Sequence, residues 1–221
     1  MWLVAYPPGT PRWKRWWYRI RPPEPGPPPA HTFEPPGFLT PPDDEIGVPV
    51  HMRKVIASNS AVVVAITHCV AYSTGFQLGI GIRRRDEPAR PEFRIRGMPP
   101  PRPTTPPEMS LELGIRFADG RRSDHSGHGP PEEFMSYYRD LQEGRKPELP
   151  PGPVIAGWGG GGGGKRWDME YWVWPLPPDG PMTVTCEWPL GDLPASSQEL
   201  DGGAIRRAGE SNEKLWDADH L

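Results

Sequence analysis

Residues 159–189 read GGGGGGKRWDMEYWVWPLPPDGPMTVTCEWP, and this stretch decides the fold class. Six glycines precede two runs in which apolar and polar residues alternate, and Pro178-Asp179-Gly180 separates the two runs. Alternation with a period of two is typical of a strand with one buried face. Glycine after aspartate favours a tight turn, because glycine adopts positive φ without strain. The stretch therefore predicts a β-hairpin preceded by a glycine-rich loop, within an antiparallel β domain.

Further strand patterns lie on both sides of the chain centre. The apolar run at 61–70 predicts a central strand covered on both faces, and the alternating runs at 76–83 and 109–117 predict half-buried strands. Residues 48–56 and 93–95 are weaker candidates. Turn sequences at 73–75 and 119–120 follow two of these runs. Six to eight strands without intervening helices predict an all-β fold, an antiparallel β-sandwich of immunoglobulin-like general architecture.

Two short helices are predicted beside the strands. Residues 131–144 begin with a proline and two acids and end at a glycine, which is the usual asymmetry of helix ends. Ser196-Ser197-Gln198-Glu199 has the spacing of a capping box and predicts a helix that begins there. We therefore expect a C-terminal helix or tail over residues 196–221.

The composition separates a compact centre from proline-rich segments. The 221 residues include 34 prolines and 26 glycines, near the level of largely disordered chains, but the prolines cluster between the apolar runs. We therefore predict a proline-rich, Trp- and Arg-containing N-terminal arm or extension at 1–42 and a sandwich domain at 43–195. Long proline-rich loops are expected at 86–107 and 123–153. The loop at 86–107 is either a linker or a peptide ligand for an aromatic groove.

Several functional classes are disfavoured. A net charge of −3 argues against a general nucleic-acid binder. No apolar run approaches the roughly 18 residues of a membrane span, and no continuous apolar segment marks a signal peptide. Cys69 and Cys186 are too far apart for a CxxC motif, so two buried thiols are favoured over a disulfide between strands. We therefore expect a cytoplasmic protein.

The first 21 residues have a composition of their own. They contain five cations and no acid, and tryptophans and a tyrosine lie among these cations at 12–21. Interfacial membrane binding or nucleic-acid stacking uses such residues. The alternatives are an arm that packs on its own domain and an extension that results from a start codon assigned too far upstream.

The glycine run begins like a phosphate-binding loop. Gly159, Gly164 and Lys165 match the first part of the Walker pattern, but Arg166 stands where Ser or Thr would bind Mg²⁺. A strand pattern follows where a helix is required, which argues against nucleotide hydrolysis. An anion nest of glycine amides beside Lys165 and Arg166 and a mobile surface loop both remain as interpretations.

No metal or catalytic motif is complete. Asp124, His125 and His128 offer metal ligands but lack a further ligand at matching spacing, so a solvated loop is favoured. His68 and Cys69 are neighbours on a predicted strand and would point to opposite faces, which argues against a nucleophile–base pair. The sequence has neither a GxSxG nor an HExxH motif. We predict no cofactor and no metal.

Five tryptophans lie close together at 158–188. Trp172 and Trp174 belong to the strand face opposite Trp167. They form an exposed binding surface, or they are covered by the N-terminal arm or the C-terminal helix. The predicted binding residues are Trp158, Gly160, Gly162, Gly164, Lys165, Arg166, Trp172 and Trp174.

Four segments together resemble a group of uncharacterised β-rich proteins from actinobacteria: PDDEIGVPV at 42–50, AYSTGF at 71–76, FADGRR at 117–122, and the block at 159–189. The resemblance covers roughly residues 42–200 without the long loops. It implies a single domain and no particular activity.

These observations favour a non-catalytic binding domain. Its partner would be another protein or a second copy of the chain, bound through the aromatic strand face and the glycine-rich loop; no small-molecule ligand is indicated. The alternatives are a hydrolase whose acid and base come from loops, and membrane or nucleic-acid association through residues 12–21.

Overall fold

A computed structural model describes residues 35–86, 111–125 and 131–216, apart from the side chains of His125, Trp158 and Leu190. These residues form ten strands in two antiparallel sheets that pack together, and two α-helices. The predicted β-sandwich is therefore confirmed. Within this part of the chain, no helix has the length and apolar character needed to cross a membrane.

The larger sheet has six strands in the order β1-β3-β4-β8-β7, and β2 pairs with β3 beside β1. Its strands are β1 (Val48–Val50), β2 (Lys54–Ser58), β3 (Val62–Ala71), β4 (Phe76–Arg84), β7 (Val154–Gly163) and β8 (Arg166–Trp174). All its pairings are antiparallel.

The smaller sheet has four strands in the order β10-β9-β5-β6. Its strands are β5 (Glu112–Arg116), β6 (Arg122–His125), β9 (Pro181–Trp188) and β10 (Leu193–Asp201), and a short 3-10 helix (Pro189–Gly191) joins the last two. Helix α1 (Glu132–Gln142) precedes β7, and helix α2 (Gly202–Glu210) follows β10 directly.

The hydrophobic core lies between the facing sides of the two sheets. The larger sheet contributes alternate residues such as Ile66, Leu78 and Ile80, and the smaller sheet contributes residues such as Ile115 and Val184. Burial of such a side chain contributes about 1.5–3 kcal/mol. One set of β3 residues is fully buried, whereas the residues of the other face are half-buried and His68 is exposed. The prediction that β3 is covered on both faces therefore holds for one face only.

Two predicted hairpins and one predicted helix are confirmed. Tyr72 N–H donates to the Gly75 carbonyl at 2.8 Å in the turn between β3 and β4. Gly120, at φ +88°, lies in the turn between β5 and β6. Helix α1 follows Pro131 and ends before Gly144, which adopts φ +70°. The two cysteines are buried free thiols, as expected.

The predicted hairpin across Pro178-Asp179-Gly180 is wrong. Strand β8 pairs with β4 and β7, whereas β9 pairs with β5 and β10, so this connection crosses from one sheet to the other. Residues 175, 177, 178 and 181 are prolines, and proline supplies no N–H for a ladder beside the turn. The actual hairpin partner of β8 is the glycine-rich segment that precedes it.

The predicted glycine-rich loop is also wrong. Gly159–Gly163 belong to strand β7, and they pair in antiparallel register with the residues of β8 from Glu170 back to Arg166. Glycine weakens a strand. Here the ladder with β8 supplies the backbone hydrogen bonds, and they outweigh the low strand propensity of glycine. The turn follows at Gly164, which has φ +57°.

The predicted capping box at Ser196–Glu199 is wrong as well. These residues lie in β10, where Ser196 pairs with Cys186 and Glu199 pairs with Thr183. The cap of α2 is Asp201, whose Oδ1 accepts a hydrogen bond from Ala204 N–H at 2.9 Å. The predictions for residues 1–34 and 93–95 lie outside the described residues.

Candidate functional site

The outer face of the six-stranded sheet is divided into a covered half and an open half. In the covered half Trp172 is fully buried, and its Nε1–H donates to the Gly37 carbonyl at 3.1 Å. Phe38 contacts Trp174 and the Tyr137 ring of α1, with centroids 6.2 and 5.3 Å apart. The cover therefore consists of residues of the predicted N-terminal arm and α1, and Trp172 is not an exposed binding residue.

The open half includes glycines that no packing contact explains. Gly159, Gly161 and Gly163 lie opposite Glu170, Asp168 and Arg166, and the register places them on the outer face. A Cβ added to any of the three would meet no heavy atom of the described residues within 4 Å. We call these three residues the glycine shelf.

The two glycines between them are required by close contacts. Gly160 and Gly162 lie opposite Met169 and Trp167, which pack against the core. A Cβ at Gly160 would lie 2.8 Å from the Asp168 carbonyl oxygen, and one at Gly162 would lie 2.2 Å from the Arg166 carbonyl oxygen. Packing among the described residues therefore accounts for these two glycines and leaves the shelf glycines unexplained.

A charged cluster on β8 and β4 borders the shelf. Asp168 accepts hydrogen bonds from Arg83 Nη2 at 2.6 Å and from Arg166 Nε at 2.7 Å. Burial raises the pKa of Asp168, but the hydrogen bonds from Arg166 and Arg83 outweigh it and hold the pKa below its ordinary value. Asp168 is therefore an anion that orients both arginines.

A second polar cluster crosses three strands of the same face. The His68 ring lies between Thr67 Oγ1, at 3.1 Å from Nδ1, and Glu170 Oε2, at 3.0 Å from Nε2. The pairing of β3 with β4 shifts register between Ile66 and His68, which is a β-bulge. Such a bulge re-aims side chains, and here Thr67 and His68 meet although they are neighbours in a strand. We call Thr67, His68 and Glu170 the relay.

Glycine makes room for the relay on β4. A Cβ at Gly79 would lie 2.2 Å from His68 Cε1. The imidazole therefore lies against the backbone of β4 and crosses this strand to contact Glu170 of β8. A Cβ at Gly81 would likewise lie 2.7 Å from Thr67 Cγ2. Larger residues at these two positions would displace the His68 ring or the Thr67 side chain.

A groove of about 480 Å³ adjoins the relay at Thr67. Among the described residues that line it, three are cationic and none is acidic; the lining consists of Arg53, Lys54, Val55, Ala65, Ile66, Thr67, Gly81 and Arg83. Lys54 Nζ donates to the Glu199 carbonyl at 2.8 Å, which ties the rim of the groove to β10. The groove therefore favours ligands with negative charge.

The structure brings together only some of the predicted binding residues. Arg166 lies beside the shelf, Lys165 lies in the turn after it, and Trp158 lies in β7. An anion nest requires successive N–H groups that converge, whereas an extended strand points them to opposite edges. Gly160 and Gly162 thus contribute through the strand and do not form a nest.

The sequence offers Asp124, His125 and His128 as possible metal ligands without predicting a metal site. Within the described residues, no group of three or more His, Cys, Asp or Glu side chains could hold a metal ion. Asp124 lies in β6, and His128 lies outside the described part of the chain.

The relay was not predicted because its members are distant in sequence. His68 and Glu170 are separated by 102 positions, and their contact requires the pairing of β4 with both β3 and β8. The available signal was Thr67-His68, two polar residues in an otherwise apolar run. No protein-family model, curated protein or solved structure matches this chain.

Proposed function

We propose that this protein is a binding domain that takes up an extended polypeptide segment of another protein along the edge of β7. The observation that carries the proposal is the glycine shelf, which has no packing role in the described part of the molecule. Glycine in a strand interior marks a site where a ligand or another backbone approaches closely.

Strand β7 is suited to strand addition. It is ten residues long and lies at the end of its sheet, and no described strand pairs with its second edge. An edge strand offers a row of N–H and C=O groups to an incoming strand. Natural edges are commonly protected by charged side chains or proline, and Gly159–Gly163 contain neither.

The shelf also provides a route to specificity. Strands lie about 4.8 Å apart, so a strand added to β7 lies about 10 Å from β8. Long side chains of the added strand can lie across the shelf, because no side chain of the shelf glycines blocks them. They would then reach Arg166, whose side chain is 71% exposed, and Glu170.

This arrangement favours a partner protein over a second copy of the chain. If two β7 strands paired through their Gly159–Gly163 segments, glycines would face glycines and no side chain would cross the shelf. The charged residues of β8 would then take no part in the interface. A partner strand with long charged side chains uses both the edge and the charges.

The experiment is selection of a random linear peptide library on the full chain, followed by calorimetry of the enriched peptides. We expect Gly161→Val to weaken binding about tenfold or more, because its side chain occupies the shelf. The matched control is Gly37→Val, since Gly37 also has no described atom within 4 Å of an added Cβ and lies outside β7. It should bind as the wild type does.

A second measurement locates the bound peptide. In protein labelled with ¹⁵N-glycine, peptide binding should slow amide exchange at alternate positions of Gly159–Gly163. The proposal fails if no peptide is enriched, or if enriched peptides bind Gly161→Val and wild type equally. Concentration-dependent dimerisation in sedimentation velocity that Gly161→Val abolishes would identify a second copy as the occupant and overturn it.

A further inference from the structure

We propose that the relay is a hydrolytic site, in which Thr67 is the nucleophile for carboxylic esters, His68 is its general base and Glu170 orients the imidazole. This proposal does not rest on peptide binding at β7, although Glu170 takes part in both. It rests on the contacts of the three side chains and on the cationic groove beside them.

The hydrogen bonds are consistent with one proton arrangement. Glu170 is a carboxylate and accepts a hydrogen bond from Nε2–H of His68, at 3.0 Å. In the neutral imidazole, Nδ1 is then unprotonated and accepts a hydrogen bond from the Thr67 hydroxyl, at 3.1 Å. A hydroxyl, a base and a carboxylate in this order are the arrangement that activates a weak nucleophile.

The backbone holds this arrangement in place. The β-bulge at Ile66/His68 brings the hydroxyl and the ring together, and Gly79 leaves room for the ring to reach β8. The relay is built on strands of the sheet, whereas the sequence favoured loops for any acid and base. Strands hold reacting groups more closely in position than loops do.

The groove indicates the class of substrate. Arg83 is occupied by Asp168 and by the Ile82 and Trp167 carbonyls, and Lys54 gives one N–H to the Glu199 carbonyl. Among the described lining residues, Arg53 and the two remaining N–H donors of Lys54 are therefore left for a ligand. Positive charge beside the nucleophile stabilises the oxyanion of an acyl-transfer intermediate. The same cations would favour esters whose acyl group carries a carboxylate.

The chemical steps balance without a cofactor. Thr67 Oγ1 attacks the acyl carbon while its proton passes to His68 Nδ1, and the leaving alcohol departs with that proton. Water then attacks the acyl-threonine, His68 accepts a proton from this water, and the carboxylic acid is released as Thr67 Oγ1 regains the proton.

The experiment measures hydrolysis of 4-nitrophenyl acetate and of mono(4-nitrophenyl) succinate by the full chain. We expect Thr67→Val and His68→Gln each to reduce the rate above background roughly 100-fold or more. Glu170→Gln should also reduce it, because a Gln amide donates to Nε2 and thereby favours the tautomer with a proton on Nδ1. The matched control is His51→Gln, an exposed histidine outside the relay, which should retain the wild-type rate.

Mass spectrometry after a short incubation separates this site from unspecific acylation. We expect one acetyl group on the peptide that contains Thr67 in wild type and in Glu170→Gln, and none there in Thr67→Val. Circular dichroism confirms that each variant is folded. The proposal is overturned if wild type shows no rate above buffer, if Thr67→Val retains the wild-type rate, or if the acetyl group lies only on lysines.

Discussion

Glycine has two different roles at neighbouring positions of β7. At Gly160 and Gly162 a side chain would collide with the backbone of β8, so glycine is a packing requirement. At Gly161 the backbone is extended and no described atom lies within 4 Å of an added Cβ, so glycine costs stability there. All these residues are glycines, so residue type does not distinguish the two roles. The direction in which an added Cβ would point does distinguish them.

The first prediction follows from this contrast. We expect Gly162→Ala to lower the free energy of unfolding by about 1–3 kcal/mol, because its Cβ overpacks against Arg166 and Trp167. Gly161→Ala should instead raise it by about 0.5–1 kcal/mol, because alanine restricts the unfolded chain. Urea unfolding of both variants checks this, and equal effects of the two substitutions would contradict the assignment of faces.

At the scale of elements, the junction of β10 and α2 is a direct passage from strand to helix. Asp201 is the last residue of β10 and the cap of α2, so one residue serves both elements. Gly202 and Gly203 are buried in the first turn, where a side chain at Gly202 would lie 2.8 Å from the Gly180 carbonyl oxygen. The helix therefore packs closely against the connection between the sheets.

The second prediction concerns this cap. We expect Asp201→Ala to lower the free energy of unfolding by about 1 kcal/mol, because the N–H of Ala204 loses its acceptor. Asp201→Asn retains a side-chain oxygen and should remain within a few tenths of a kcal/mol of the wild type. If urea unfolding shows the same loss for both, the negative charge and not the cap stabilises this helix.

The strands that alternate were predictable from sequence, and their partners were not. Phe76–Arg84 and Pro181–Trp188 show a period of two that any sandwich requires. The choice of partner for β8 depends on residues far away, and the turn at 178–180 is compatible with a hairpin or a crossing between sheets. The glycines of β7 carry no pattern, so their strand is visible only in the pairing with β8.

The same limit applies to the relay. The bulge that turns Thr67 towards His68 and the alignment with Glu170 both arise from pairings of whole strands. A sequence shows which residue types are present, but it does not show which of them the strand pairings bring into contact. The covering of Trp172 by Gly37 and the contact of Trp174 with Phe38 belong to one of two alternatives that the sequence left open for the same reason.

At the scale of the whole molecule, each sheet contributes one buried thiol to the core. Burial raises the pKa of Cys69 from 9.0 to about 12. Burial and then the charge of Glu187 raise the pKa of Cys186 from 9.0 to about 12. Both thiols therefore stay protonated in the folded protein under conditions in which the unfolded chain ionises them.

The third prediction is a loss of stability at high pH. Above about pH 9 both thiols ionise in the unfolded state, which lowers the free energy of that state. The free energy of unfolding should therefore fall by about 1.4 kcal/mol per pH unit and per thiol as pH rises towards the pKa of the folded state. The measurement is urea unfolding from about pH 8 to about pH 11. The double variant Cys69→Ala/Cys186→Ala is less stable throughout but should show a shallower decline, and parallel declines would contradict the effect.

The glycines of β7 affect how the register between β7 and β8 is determined. A slip of one residue along Gly159–Gly163 exchanges one glycine for another and moves no side chain to the wrong face. The alignment of this hairpin must therefore come from its two ends, the buried Val154–Ala156 and the turn at Gly164. Between these anchors the glycine run adds no register information of its own, and it keeps its alignment only because both of its ends are fixed.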